Sequence, residues 1–112
     1  MGEPLFTRDQ LEGRFTATTV ARYHDDDGDE EGCARQISET LLEGSDRVRG
    51  LLRGGFSEAQ ISELVDNDRT IRGWGLDICA DIMGRRKTEL LDKEGRTPYA
   101  GIAKDAVAEL KS

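Results

Sequence analysis

Cysteine and histidine are scarce in this sequence, which holds two cysteines and one histidine among 112 residues. Cys33 and Cys79 are far apart and have no Cys or His close to them in sequence, so neither a zinc site nor a disulfide framework is indicated. We therefore expect no metal ion and no cofactor. We also expect thiols that stay reduced, as they do in the cytosol.

Long apolar runs are missing as well. The first 30 residues contain no apolar stretch of signal-peptide length, and no window approaches the roughly 18 apolar residues that a membrane-spanning helix needs. Secretion and membrane insertion are therefore both disfavoured, and we expect no membrane partner.

Large apolar residues are few, since Leu, Ile, Val and Phe together make up 24 of the 112 residues. This content is close to the lower limit at which a highly charged chain still folds. The length suits one domain with a single core, which we assign to 1–112. So thin a core favours a subunit that gains stability from its neighbours.

The charge is acidic and unevenly distributed. The formal net charge is -7; residues 1–31 hold nine acids against three bases, and residues 84–112 hold seven bases against five acids. Non-specific DNA affinity comes largely from clustered Lys and Arg, so specific nucleic acid is not an expected ligand. An acidic surface would still be compatible with a channel through which DNA only slides.

Helix signals dominate the first half of the chain. Thr7 and Gln10 form a capping-box pattern that predicts a short helix, and Thr16 predicts a second short turn. A long helix is predicted from Glu30 to Arg53, because apolar residues and one glycine recur every three or four positions, namely Ala34, Ile37, Leu41, Gly44, Val48 and Leu51.

The second half continues the same pattern. Ser57 and Gln60 form another capping box, a long helix is predicted to begin near Asp68, and a last amphipathic helix is predicted from Pro98 to about Leu110. No strand pattern is present. The sequence thus predicts an all-α fold: a small bundle of about four to five helices with one long central helix and a C-terminal amphipathic helix.

Residues that could carry chemistry are better explained as structural. His24 lies in a polar acidic segment, and we expect it to be solvated. The acidic run 25–31 fails as an EF-hand loop, because Tyr23 and Ala34 stand where a calcium-binding acid and Glu are required. Asp77 and Asp81 are one helical turn apart and fit a solvated face. We therefore expect no catalytic residue and no enzymatic activity.

One stretch has the form of a DNA-binding motif. Residues from Ser57 to Trp74 can be interpreted as a helix, a three-residue turn and a recognition helix with Asp68, Arg69, Thr70 and Arg72 at its tip. The stretch holds four acids and two bases, and the whole domain is acidic. A helix-turn-helix regulator is therefore the alternative hypothesis, and a small acidic adaptor or inhibitor of a host protein is a third.

Several phrases spread over nearly the whole chain resemble one protein family. They are LFTRDQLEGRF at 5–15, the long helix with Ile37, Leu41, Gly44-Ser45-Asp46 and Leu51-Leu52, the helix from Trp74 to Met83, and the closing segment from Tyr99 to Leu110. The chain is similar to the small all-helical head-to-tail connector proteins of long-tailed bacteriophages, also called adaptor or head-completion proteins, which include the Mu-like group. It departs from the many members that carry a Tyr- and Pro-rich segment after the long helix.

The resemblance implies a virion structural protein that is assembled in the host cytoplasm and lies at the head-tail interface. Its implied partners are copies of itself in a ring, usually of about twelve subunits, the portal protein, and the next connector, stopper or tail-completion protein. By analogy the segment 97–112 is the candidate portal contact, through Tyr99, Ile102, Lys104, Val107 and Leu110. The alternative is that the stripe from Tyr99 to Leu110 only closes the core of its own subunit. The acidic loop, with Asp25, Asp26, Asp27 and Asp29, is expected to face solvent or the channel.

Overall fold

Six α-helices and one short 3-10 helix make up the fold in a computed structural model, which describes residues 3–24 and 29–111. The elements are α1 (Arg8–Phe15), α2 (Ala17–Tyr23), α3 (Glu30–Leu52), α4 (Glu58–Asn67), α5 (Arg69–Gly84), the 3-10 helix (Thr88–Leu90) and α6 (Ala100–Lys111). The described residues contain no strand, so the predicted all-α class is confirmed. The six helices exceed the predicted four to five, and the short turn expected after Thr16 is a helix of seven residues.

Both predicted capping boxes are present. The Thr7 hydroxyl accepts from the Gln10 amide at 3.1 Å, and the Gln10 side chain accepts from the Thr7 amide at 3.0 Å. Ser57 and Gln60 repeat this exchange at 3.2 and 2.8 Å. Each pair satisfies two N–H groups that a helix start leaves without a partner, which fixes where α1 and α4 begin.

The last helix begins later than predicted. Thr97 does not cap a helix that begins at Pro98, because its hydroxyl donates to Asp81 at 2.6 Å and accepts from the Tyr99 amide at 3.1 Å. The Ala100 amide donates to the Thr97 carbonyl at 3.2 Å, which closes a turn before the helix. The side chain of Thr97 thus ties the start of α6 to α5.

The centre of the packing is α5, which contacts all five other α-helices. Its buried side chains include Ile78, Cys79 and Met83. Two glycines permit the close approach: a Cβ atom on Gly44 of α3 would overlap Cys79, and one on Gly75 of α5 would overlap the ring of Phe6. The ring of Phe6 is only 2% exposed, so the N-terminal segment completes the core.

No helix within the described ranges combines the length and the hydrophobicity needed to cross a lipid bilayer.

Candidate interaction surface

The five candidate contact residues near the C-terminus fall into two groups. Tyr99 packs edge-on against Phe15, with ring centroids 5.3 Å apart, and against Tyr23 at 5.9 Å. Desolvation by burial raises the pKa of the Tyr99 phenol. Leu110 is 6% exposed and belongs to the same core. Leu110 therefore offers little surface to a partner, whereas Tyr99 is half-buried and its ring packs within its own subunit.

The other three candidates are accessible to a partner. Ile102 is 43% exposed, Lys104 is exposed, and Val107 is half-buried against the core. Lys104 and Val107 lie one turn apart on one side of α6, and both line a groove at its contact with α3 and α5. Ile102 does not line that groove, so α6 presents two separate partner-accessible positions.

The groove beside α6 is rimmed by positive charge, and we call it the basic groove. Its volume is about 280 Å³, and it is lined by Arg47, Ile78, Asp81, Arg85, Ala100, Ala103, Lys104 and Val107. Arg85 is paired with Asp81 at 2.9 Å. Arg47 and Lys104 form no ion pair with any described residue, so the rim carries unbalanced positive charge on a protein that is acidic overall.

A second groove lies along α4, and we call it the acidic groove. Its volume is about 440 Å³, and it is lined by Phe56, Gln60, Glu63, Leu64, Asn67 and Asp68. The Phe56 side chain is 41% exposed, and its backbone amide donates a 3.1 Å hydrogen bond to the Leu52 carbonyl. Sequence reasoning missed this residue as a contact. Its position could have indicated this role, because Phe56 is an aromatic residue that belongs to no predicted helical stripe and directly precedes a capping box.

The predicted acidic loop falls mostly outside the described residues, which is the case for Asp25, Asp26 and Asp27. Asp29 lies just after the gap, and its carboxylate accepts from the Gly32 amide at 2.6 Å. It is the N-cap of α3, where a negative charge is also favoured by the helix dipole.

The expectation of a solvated His24 was wrong. Its side chain is fully buried, with Nδ1 2.7 Å from the Val20 carbonyl and Nε2 2.8 Å from the Thr40 hydroxyl. A carbonyl can only accept, so Nδ1 carries a proton and donates to Val20, and the Thr40 hydroxyl is the hydrogen-bond partner of Nε2. His24 therefore connects the end of α2 to α3.

The expected solvated face of Asp77 and Asp81 was also wrong. Asp77 is 5% exposed, and its two oxygens accept from Arg14 Nε at 2.7 Å and from Nη2 at 3.1 Å. Asp81 is half-buried and binds Arg85 and Thr97. The two carboxylates therefore bind separate partners and hold α1 and the start of α6 against α5.

The described residues offer little for nucleophilic or metal chemistry. Both cysteines are buried, and desolvation raises the pKa of the Cys79 thiol to about 12, so it carries no reactive thiolate near neutral pH. Within 3–24 and 29–111, no cluster of three or more His, Cys, Asp or Glu side chains could hold a metal ion.

The stretch with the form of a helix-turn-helix has a one-residue connection between its two helices. Asp68 alone separates α4 from α5, and its carboxylate caps α5 by accepting from the Thr70 and Ile71 amides at 2.9 and 3.2 Å. Arg72 donates to the carbonyls of Val65 and Asp66 at 3.2 and 2.9 Å. The exposed residues of α5 are confined to its first turn, and beyond that turn the helix is buried except for the half-buried Trp74, Asp81 and Ile82.

Comparison with protein-family models, with curated proteins and with solved structures finds no match to this chain.

Proposed function

We propose that this chain is a virion structural protein: a head-to-tail connector subunit that forms a ring, docks on the portal and links the DNA-filled capsid to the tail of a long-tailed bacteriophage. The observation that carries the proposal is that Phe56 and Ile102, two large apolar side chains, are exposed on a domain with few large apolar residues. A large apolar side chain that is accessible on a folded surface can serve as an anchor that a partner buries. Such a surface suits a protein that works by binding others.

The phrases that resemble the connector family support the same proposal. Leu11 and Phe6 of the opening phrase are buried, and Phe15 packs against Tyr99 of the closing phrase. The resemblance therefore concerns residues that determine the fold of the subunit. In this proposal 1–112 is one connector domain and α3 is its long central helix, with α6 as the docking element.

Portal contact is assigned to the exposed side of α6. Ile102 is its large accessible apolar residue, and Tyr99 and Leu110 are needed to hold the helix in place. An amphipathic helix that is anchored on one side and exposed on the other can lie in a groove of a partner. Docking through a helix already formed costs little ordering entropy.

The state of the polar side chains supports a binding role over catalysis. His24, Arg14, Asp77 and Thr97 are each held by structural hydrogen bonds or ion pairs. A general base or nucleophile must reach a substrate, whereas His24, Asp77 and Thr97 are buried and the partly exposed guanidinium of Arg14 is bound to Asp77.

The alternative of a helix-turn-helix regulator is less well supported. A recognition helix needs a free face along several turns to enter a major groove. In α5 such a face ends after the first turn, and Arg72 is bound to the end of α4. Arg69 is then the one exposed cation at the tip, which is a weak basis for binding an acidic protein to DNA.

The proposal is tested by binding to the portal ring of the same phage, measured by biolayer interferometry. We expect the chain to bind the portal, Ile102→Asp to weaken binding at least tenfold, and Ala108→Asp to leave it within about twofold. Ala108 is an exposed apolar residue on the same helix, so it controls for the added charge. Absence of portal binding by the unmodified chain, or tight binding to a defined operator at physiological salt, would contradict the connector proposal.

A further inference from the structure

We propose that copies of this chain associate head to tail, with the Phe56 surface and acidic groove of one copy docked on the basic groove of the next. This inference rests on the proposed function and deepens it, because it names the two faces through which subunits meet. The argument comes from three properties of these surfaces: an exposed aromatic side chain, opposite charge, and the absence of any shared residue.

The Phe56 side chain is exposed on a hydrogen-bonded stretch of backbone. It follows Gly54 and Gly55 at the end of α3, where its amide bonds to the Leu52 carbonyl, and Ser57 begins the capping box of α4 immediately after it. The backbone on both sides is therefore fixed, so the anchor is already ordered in its main chain before a partner binds. A preorganised aromatic anchor loses little conformational entropy when a partner buries it.

The surroundings of Phe56 are apolar at the centre and negative at the edge. Leu64 is half-buried beside it, and Glu63 and Asp68 line the same groove. Glu63 forms no ion pair within the described part of the chain, and Asp68 is bound only to the amides that it caps. Both carboxylates therefore add negative charge to this face.

The basic groove has the complementary arrangement. Its floor is apolar, formed by Ile78, Ala103 and Val107, and Arg47 and Lys104 rim it without a carboxylate partner among the described residues. Its volume of about 280 Å³ accommodates a phenyl ring. Positive charge at this rim is unusual in a chain of net charge -7, and it would be neutralised by the carboxylates around Phe56.

The geometry commits the contact to a second copy. The two grooves are lined by different residues of different helices, so one copy can use both at once. A contact between two unlike faces is heterologous, and it propagates to a closed ring or an open filament. A two-fold dimer whose axis passes through one groove would instead place the like charges of that groove opposite each other, which is unfavourable.

Sedimentation velocity of the purified full chain at low ionic strength, from about 10 μM to about 1 mM, provides the test. We expect the weight-average mass to rise with concentration and the rise to diminish as salt screens the charges. Phe56→Ser should weaken association at least tenfold. Ile102→Ser is the matched control, because it removes an equally exposed large apolar side chain outside both grooves, and it should leave association within about twofold.

A charge-exchange cycle tests the pairing of the two faces. Lys104→Glu and Glu63→Arg should each weaken association several-fold, and the double variant should associate more strongly than the product of the two effects predicts. Lys104 and Glu63 are exposed, as are Phe56 and Ile102, and circular dichroism checks that each variant folds. A chain that stays monomeric at about 1 mM, an Ile102→Ser effect equal to that of Phe56→Ser, or strictly multiplicative charge effects would overturn the inference.

The two proposals fail in different ways. One possible result is that Ile102→Asp abolishes portal binding while substitutions of Phe56 and Lys104 do not change self-association. That result would support the connector function and contradict this interface. Self-association through both grooves without any portal binding would leave the interface standing and remove the connector function.

Discussion

Gly44 of α3 lies directly against the buried sulfur of Cys79 in α5, so closely that a Cβ atom at position 44 would overlap it. The nearest backbone atom, the Cα of Cys79, would be 3.5 Å from that Cβ. The two helices therefore approach at a point where only the smallest residue fits on α3. Because α5 contacts every other α-helix, this contact fixes the position of α3 in the whole bundle.

Gly44→Ala is expected to destabilise the fold although alanine favours helix. The better helix propensity of alanine contributes about 1 kcal/mol, and forcing an extra methyl group into a packed core costs typically about 1 to 3 kcal/mol. We expect a net loss in the free energy of unfolding of about 1 kcal/mol, measured by urea denaturation. Gly50→Ala, on an exposed position of the same helix with nothing near the added methyl, should instead stabilise.

A double variant separates overlap from a general glycine effect. Cys79→Ala removes the sulfur that the new methyl group would meet, so Gly44→Ala should be tolerated better in that background than in the unmodified chain. Equal effects of Gly44→Ala in both backgrounds would show that the Cys79 contact does not limit the helix approach.

Stability at alkaline pH should depend on Cys79. Burial raises the pKa of its thiol from 9.0 to about 12. The folded state thus keeps a proton that the unfolded chain releases, so this contribution is complete below pH 9 and is lost as the pH rises toward 12. We expect the unmodified chain to lose up to about 1.4 kcal/mol per pH unit more than Cys79→Ala in this range. Parallel pH profiles of the two proteins from urea denaturation would contradict this.

In the ion pair of Arg14 and Asp77, removal of Arg14 is expected to destabilise the fold more than removal of the charge on Asp77. The Asp77 side chain is 8% exposed and that of Arg14 is 44% exposed. Removal of Arg14 therefore leaves a buried carboxylate without its cation. Removal of the charge on Asp77 leaves a cation that water can reach. Breaking a fully buried pair costs about 3 to 5 kcal/mol, and we expect Arg14→Met to fall at or below the lower end of this range because Arg14 is partly exposed. Asp77→Asn should cost less.

Arg96→Met serves as the control for that prediction. Arg96 pairs with Asp92 at 3.1 Å in an exposed segment, and such pairs contribute at most about 1 kcal/mol. A loss for Arg14→Met no larger than that for Arg96→Met, measured in the same urea titration, would show that burial of Asp77 does not make its ion pair important.

The correct predictions were those whose causes lie within a few residues. The capping boxes at Thr7 and Ser57 need only a hydroxyl and an amide three positions apart, and the start of α3 needs only its own sequence pattern. The burial of Asp77 could not be predicted because its partner lies 63 positions away in the sequence. Periodicity likewise identified a stripe on the last helix without indicating which members the subunit's own core would cover.

The same limit applies to His24, whose environment arises from the packing of α2 against α3. An acidic neighbourhood in sequence indicated solvent, but the Thr40 hydroxyl, 16 positions away, binds its Nε2 in the core. The exposure of Phe56 was likewise not predicted from the sequence. Phe56 belongs to no stripe, and only the fold shows that its ring is exposed beside an acidic groove.

Thr40→Val tests whether the buried His24 is held by that hydrogen bond. Valine keeps the shape of threonine but cannot donate, so the Nε2 atom of His24 would lose this partner inside the core. Losing one partner of a buried hydrogen bond costs about 1 to 3 kcal/mol. Thr18→Val, an equal exchange at an exposed position of α2, should change the unfolding free energy by at most about 0.5 kcal/mol. Urea denaturation at pH 7.5 measures both, and equal values for the two variants would show that the contact between His24 and Thr40 contributes nothing to the junction of α2 and α3.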